Sequence, residues 1–379
     1  MAHIELCNIT KRFKKITALD NISLDVKDKE FFVLFGPAGA GKTTILKTIA
    51  GVEFPDGGHV KMDGRIMNLI EPAKRNVSMV FENYALYPHI SVYDNIASPM
   101  RSPLYKKDEE HIKKEVYRVA SMMKIDHLME RLPSQLSNGQ RQRVALGRCI
   151  VREPNVFLMD EPLAHLDAKL RHFMRAELKE MQCSFDTTTI YVTHDYLEAM
   201  SLGDRIGIIN EGRIEQIGTS DEVYYTPANE FVAKLMGEPE VNIFKVNLIN
   251  QNNRLKVKML GQEKLFDIQE DAAKVLLKHH SNEVDLGIRG IDIDLSFSKK
   301  DDEYMHGTVY SLEPIGNKSV LIVDVNGQLI RLIAPNDLKA DLDSDIFIKF
   351  NMNNALFFNC KDKTFLVRHR QEELAKGVA

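Results

Sequence analysis

The chain has 379 residues, 44% of them hydrophobic and 27% charged, with a formal net charge of −4. That length accommodates two or three domains with real cores, and the composition is that of an ordinary globular protein. The slightly acidic balance, without a long block of one sign, gives no reason to expect nucleic acid as a partner.

Residues 1 to 35 alternate apolar and polar positions in HIELCNIT and ISLDV and then run fully apolar in FFVLF. This predicts two edge-type strands feeding a buried one. GPAGAGKT, from Gly36 to Thr43, fits G-x-x-x-x-G-K-[ST] between that strand and a helix at KTTILKTIAGV. Glycines let backbone amides close around a phosphate, Lys42 neutralises β- and γ-oxygens, and the Thr43 hydroxyl is placed to ligate Mg²⁺. The expected nucleotide loop is therefore Gly36, Pro37, Ala38, Gly39, Ala40, Gly41, Lys42, Thr43 and Thr44.

Residues 89 to 152 change character. SPLYKKDEEHIKKEVYRVASMMKIDHLMERL carries apolar residues at helical spacing with a charged opposite face, which predicts a helical insert with its run from Lys106 to Lys114 in solvent. Within it, QLSNGQRQRVALGRCI has the chemistry of a second phosphate site. Ser137 and Gln140 stand in the S-x-x-Q spacing of a capping box, Gly139 bares its backbone, and a helix with Arg141, Arg143 and Arg148 follows.

From Pro154 the sheet pattern returns in VFLMDEP, TTTIYVTHD and DRIGIINEGRI, separated by helical stretches such as AKLRHFMRAELKEMQ. That alternation predicts a mainly parallel α/β sheet. The strand in VFLMDEP ends in Asp160, which brings a carboxylate beside the phosphate loop to hold magnesium through water. Glu161 follows as a general base for the attacking water. An acidic pair at a strand end also serves as a helix cap, and it is the phosphate loop that favours the catalytic reading. His194, in YVTHD, ends another predicted strand on the same edge, within reach of a γ-phosphate, although a lone histidine is more often structural.

After Gly237 the pattern breaks at GEPEVN, and short strands follow, as in SVLIVDVNGQLIRLIA with Asn326 and Gly327 as its hairpin turn. Residues 237–379 are expected to form a separate β-rich domain of small barrels. His279, His280, the methionines of VASMMKIDHLM and the tail RQEELAKGVA read as surface, core and frayed terminus. Cys7, Cys149, Cys183 and Cys360 contain no C-x-x-C pair, so buried or incidental thiols are expected rather than a disulfide framework or zinc site. No apolar run approaches the roughly 20 residues of a spanning helix. The N-terminus also lacks the apolar core of a signal peptide, so a cytoplasmic address is expected, with any membrane association through another protein.

The order of these motifs resembles one family, the ATPase subunits of ABC transporters, along the whole chain. GPAGAGKT is similar to its Walker A motif, VFENYALYPHISV to the Q-loop, LSNGQ to the signature, VFLMDEP to Walker B, LAHLD to the D-loop and VTHD to the switch histidine. NYALYPHISVYDNI, LDAKLR and GTSDEVYYTPANEFVAKLMGEP resemble the carbohydrate-importer branch, which includes the maltose importer's ATPase. The resemblance implies an α/β P-loop ABC ATPase domain at 1–236 with a helical subdomain at about 89–152, then a β-rich OB-like (TOBE-type) domain at 237–379. It implies ATP and Mg²⁺ as cofactors, Glu161, His194 and Lys42 in catalysis, and Thr43, Glu82 and Asp160 around the metal. Phe13, in TKRFKK, stands at the position that stacks on adenine.

By the same resemblance two ATPase subunits pair head to tail. Ser137, Gly139 and Gln140 of one cap the γ-phosphate held by the other, and Asp167 crosses near the opposite site. Two transmembrane permease subunits and, indirectly, an extracellular solute-binding protein complete the implied assembly at the cytoplasmic face of the membrane, with a sugar or related polar solute as cargo. The sequence departs from the family at Glu82, where the Q-loop has glutamine, at Asn138, where the signature has glycine, and at His165, where the D-loop usually has asparagine. GIRGIDI also replaces the branch's GIRPEDI. Asn138 adds a Cβ to a tight backbone turn, which asparagine tolerates better than most residues. Two alternatives stay open: an asymmetric pair with a different ATPase chain, and a soluble ABC ATPase acting as a nucleotide-gated regulatory module.

Overall fold

The computed structural model describes residues 2–369 except 82, 153, 165, 186, 252, 253, 262–264, 280 and 317. Glu82, His165, His280 and the tail from Arg370 therefore lie outside the described residues. The chain divides into two units, Met1–Ser220 and Asp221–Ala379.

The first unit opens with β1 (Ile4–Phe13), β2 (Ile16–Val26), the buried β3 (Phe31–Phe35), α1 (Lys42–Ala50), β4 (Gly57–Met62), β5 (Arg65–Ile66) and β6 (Val77–Val80). Three helices follow, α2 (Val92–Arg101), α3 (Glu109–Met122) and α4 (Asn138–Ile150), before β7 (Val156–Asp160), α5 (Ala168–Phe185), β8 (Thr188–Thr193), α6 (Tyr196–Leu202), β9 (Arg205–Asn210) and β10 (Arg213–Gly218). Contrary to the edge-strand expectation, β1 is flanked on both sides, by β2 and β4, in a four-stranded antiparallel sheet. Its alternation arises because Ile4, Leu6 and Ile9 turn to the core while the residues between them face outward, so the period reports a solvated face rather than an edge.

The second sheet of this unit has the order β10-β9-β3-β8-β7-β6, parallel throughout except for the β9–β10 pair. This is the expected mainly parallel sheet. Its register places Phe35 beside Thr193, and Asp160 beside Val192, so β3, β7 and β8 end level with one another. The three loops leaving those ends share one edge, the usual place for ligands in such sheets.

Helices α2 to α4 form the expected insert between β6 and β7. Ile96, Val116, Val119 and Val144 are buried, whereas Lys106, Lys107, Lys113 and Lys114 are exposed. Gly147 permits close packing there, since a Cβ would come within 3.2 Å of Val119 and 3.4 Å of Ile96.

The second unit begins with α7 (Ser220–Tyr225, its first residue in the first unit) and α8 (Glu230–Leu235). Then come β11 (Asn242–Gln251), β12 (Arg254–Lys258), β13 (Phe266–Asp267), α9 (Glu270–Lys278), β14 (Glu283–Ile288), β15 (Ile293–Ser296), β16 (Met305–Ile315), β17 (Lys318–Val325), β18 (Gln328–Pro335), β19 (Asp345–Phe350), β20 (Leu356–Phe358) and β21 (Phe365–Arg368). The strands form two antiparallel sheets, β13-β12-β11-β14-β20-β21 and β15-β19-β16-β17-β18, whose curl resembles an OB-like domain. Leu286 and Phe357 of one sheet and Val323, Leu332 and Ile348 of the other belong to a single buried cluster. Asn326 and Gly327 make the expected hairpin turn, both left-handed at φ 54° and 82°. Helix α9 was not foreseen: it is short, and Ala272 and Leu276 are the residues it buries.

Candidate nucleotide-binding and hydrolysis site

The phosphate loop follows β3 and turns into α1. A Cβ at Gly36 would lie 2.2 Å from the Ile209 carbonyl oxygen, so the loop's first turn is pressed against β9. Gly41, the N-cap of α1, has φ 108° and lies too close to the Ala18 carbonyl for a side chain, while Gly39 needs glycine for its φ of 78° alone. The first-turn amides of a helix lack intrahelical partners, which makes the mouth of α1 suited to an anion. Lys42 is 6% exposed, and its ammonium donates to the carbonyl oxygens of Gly36 and Pro37 at 2.8 and 2.9 Å.

Asp160 is buried at the end of β7, where its Oδ1 accepts from the Thr43 hydroxyl at 3.0 Å. A hydroxyl and a carboxylate in contact fit Mg²⁺, which takes one or two protein oxygens and fills its shell with phosphate and water. Glu161 occupies the left-handed region at φ 46°, a strained conformation for a non-glycine residue, and its backbone N donates to Val192 O at 3.0 Å. That turn carries its carboxylate to 2.9 Å from His194 Nδ1. The structure thus brings Lys42, Thr43, Asp160, Glu161 and His194 to one sheet edge.

The strand end beneath His194 is fixed by groups that sequence reasoning missed. Glu198 Oε2 accepts from the Tyr191 and Thr193 hydroxyls at 2.8 and 2.7 Å, and all three side chains are buried. Burial holds the Glu198 carboxyl above its ordinary range, against the two hydroxyl donors, which favour the ionised form. A folded-state pKa raised above the unfolded one means that this group's contribution to stability is full below the unfolded value and is lost as pH rises through the folded one. Glu198→Gln keeps an acceptor for both hydroxyls and removes the buried charge. Its melting temperature is therefore expected to exceed wild type at pH 7, with the gap closing as pH falls below about 4.5, the unperturbed glutamate value. Unfolding scans between pH 4 and 8 that show a constant gap would contradict this.

At the signature, the capping box forms as expected: Gln140 N donates to Ser137 Oγ at 3.3 Å, and Ser137 N to Gln140 Oε1 at 2.9 Å. Two expectations need correction. Asn138 is the first residue of α4 and is not among the left-handed residues, so it places no Cβ in a strained turn. The arginines do not form a phosphate site either, because each turns to backbone carbonyls. Arg141 donates to Pro133 O, Arg143 to Met123 and Lys124, and Arg148 to Tyr84 and Ala85. Those carbonyls belong to turns and helix ends, and burial lowers the pKa of Arg143 and Arg148.

Gln142, one helical turn into α4 and 1% exposed, donates to Pro162 O at 2.6 Å and ties the signature helix to the turn after Glu161. Only its place in the helical period hinted at this. Phe13 is 41% exposed at the β1–β2 hairpin with Lys11 over its ring, and so is not a core residue. Asp167 Oδ1 accepts from Leu170 N at the start of α5. Burial pushes the Cys149 thiol up to about 11, which leaves it unreactive at neutral pH, while Cys7 and Cys360 are half-buried. The side chain of Cys183 is outside the described residues.

A glycine loop opening a helix, with acidic groups on a neighbouring strand end of a parallel sheet, defines a P-loop NTPase. Residues 19–164 match the ABC transporter family. The trehalose/maltose import ATP-binding protein MalK of Thermococcus litoralis is 42% identical over 86% of this chain and 89% of its own. The sn-glycerol-3-phosphate import ATP-binding protein UgpC of Rhizobium meliloti is 40% identical over 86% and 94%. An uncharacterized ABC transporter ATP-binding protein of Bacillus subtilis, YurJ, is 37% identical over 95% and 98%. Among solved structures, a dimeric post-hydrolysis ATP-binding cassette bound to ADP and Pi superposes with a TM-score of 0.54 at 28% identity, covering 57% of this chain and 98% of that one. The chain belongs to the ATP-binding subunits of ABC transporters, in the carbohydrate and solute importer family. It is an ATP-hydrolysing subunit that partners a second ATPase and separate transmembrane permease subunits.

Proposed function

We propose that the chain powers import of a sugar or related polar solute, working at the cytoplasmic face of the membrane as one of two identical ATPase subunits. The observation that carries the hydrolytic half is the pairing of Thr43 with Asp160 and of Glu161 with His194 at one sheet edge. The solute half is supported by the relative named for trehalose and maltose import, matched over 89% of its length. We assign residues 1–236 to the ATPase domain, with its helical subdomain at about 89–152, and 237–379 to the β-rich domain.

In this reading the ATP phosphates lie in the loop Gly36–Thr44, with adenine against Phe13. Lys42 leaves the Gly36 and Pro37 carbonyls for the phosphate oxygens, exchanging neutral acceptors for ionised ones that also pair its charge. Thr43, Asp160 and Glu82 would hold magnesium, which when bound neutralises phosphate charge. Glu161 takes the proton of the attacking water, and His194 orients that carboxylate through Nδ1. Ser137, Gly139 and Gln140 of the second subunit close over the γ-phosphate, with Asp167 crossing toward the opposite site. Binding closes the pair and hydrolysis reopens it.

Glutamate at position 82 adds a charge where glutamine offers a neutral carbonyl. A unit-charge pair at about 4 Å and an effective dielectric near 20 is worth roughly 4 kcal/mol before desolvation. Glu82→Gln is expected to raise the magnesium concentration needed for half-maximal ATPase activity, and an unchanged requirement would refute the assignment. The solute assignment is tested by disrupting the chain's gene and measuring uptake of labelled maltose, trehalose and sn-glycerol 3-phosphate. Loss of the sugars supports it. Loss of glycerol phosphate alone, with both sugars taken up normally, overturns it.

A further inference from the structure

Glu161 and His194 stand on separate strand ends, and the His194 side chain is 60% exposed, so packing alone does not fix their 2.9 Å contact. The residue after His194 is held from two sides. Asp195 Oδ1 caps α6 by accepting from Leu197 N and Glu198 N at 2.8 and 3.2 Å, which leaves Oδ2 to face the Arg171 guanidinium at 3.5 Å. Asp195 N also donates to the Thr193 hydroxyl, which is itself bonded to Glu198.

Arg171 reaches the other way as well. Its Nη2 donates to the carbonyls of Ala164 and Leu166 at 3.4 and 3.2 Å, within the loop that begins at Glu161. That loop is folded back on itself, with Ala164 N donating to Glu161 O, and Arg171 is seated in α5 by its own N–H bond to Asp167 O. One guanidinium therefore touches both chain segments that bear the Glu161–His194 pair.

We propose that Arg171 and Asp195 are positioning residues for ATP hydrolysis, a strut that sets Glu161 and His194 relative to each other. The proposal rests on the assignment of Glu161 as base. A role confined to stability fits poorly, because a partly exposed ion pair at 3.5 Å contributes little. Among the described residues the Arg171 Nε is buried without a partner, so the clamp is incompletely satisfied there.

The test is steady-state ATP hydrolysis by the full chain as Asp195→Asn, Arg171→Ala and the double variant. Asp195→Asn is isosteric, keeps the oxygen that caps α6 and removes only the charge opposite Arg171. Each single substitution is expected to lower kcat about tenfold with KM for ATP within about twofold, and the double variant to be no slower than the slower single one. An unchanged kcat in Asp195→Asn, additive losses in the double variant, or a loss carried by KM would overturn the strut. If Arg171→Ala does not fold, the kcat and KM of Asp195→Asn alone decide. Glu161→Gln is measured in parallel. Full turnover there removes the assignment of the base and the strut with it, whereas a dead Glu161→Gln beside a fully active Asp195→Asn removes the strut alone.

Discussion

Glu161→Gln is expected to lower kcat for ATP roughly a thousandfold, within the range of a lost general base, while leaving ATP binding intact. Glutamine has the shape of glutamate, so it fits the same left-handed turn at φ 46° and keeps an oxygen or an amide within reach of His194. It cannot take a proton from water. With hydrolysis blocked and the phosphate loop untouched, the ATP-bound pair has no route to reopening. Light scattering on the variant with and without ATP is the measurement. A dimer that appears only with ATP means that the signature beginning at Ser137 serves both sites and that Asn138 is compatible with closure. A persistent monomer that binds ATP means that the second subunit is a different chain.

The second of these outcomes depends on what Asn138 does, and here structure and sequence part company. A glycine-to-asparagine change in a glycine-rich segment invites a left-handed reading, but the capping box of Ser137 and Gln140 starts the helix early enough to make position 138 its first turn. Motifs whose meaning lies in spacing survived the passage from sequence to structure. GPAGAGKT after an apolar strand, Asp160 at a strand end and His194 at the next were legible because chain order on a parallel sheet fixes which loops share an edge. Side-chain direction was not legible. Arg141, Arg143 and Arg148 lie close in sequence to a helix N-terminus, yet backbone carbonyls of three-dimensional neighbours claim them. The Arg171–Asp195 pair and the buried Tyr191–Thr193–Glu198 set were invisible for the same reason, being contacts across elements rather than along one. In the β-rich unit, Asn326–Gly327 announced its turn, whereas α9 is too short for its period to stand out among strands.

The largest expected effect on stability is at Phe357, and it concerns the independence of the two units. Phe357 is fully buried in β20, paired with Leu286 on one side and Val367 on the other, inside the cluster that joins both sheets of the second unit. Its neighbour Phe358 faces the opposite way and packs with Ala233 of α8 and Val241, so β20 is covered on both faces and has little room to collapse. Phe357→Ala should therefore cost about 3–5 kcal/mol, a large part of what such a domain has. The ATPase unit has its own cluster, in which Phe32, Leu34, Leu158 and Ile190 are buried without contribution from this strand. Calorimetry should show two transitions, one raised by ATP through binding to the native state and the other lowered by the substitution, by roughly 2–4 °C per kcal/mol. The ATP-sensitive transition is expected to stay where it is in Phe357→Ala. If both transitions fall together, the two cores are thermodynamically one, and damage to the β-rich unit must then reach the nucleotide site as well.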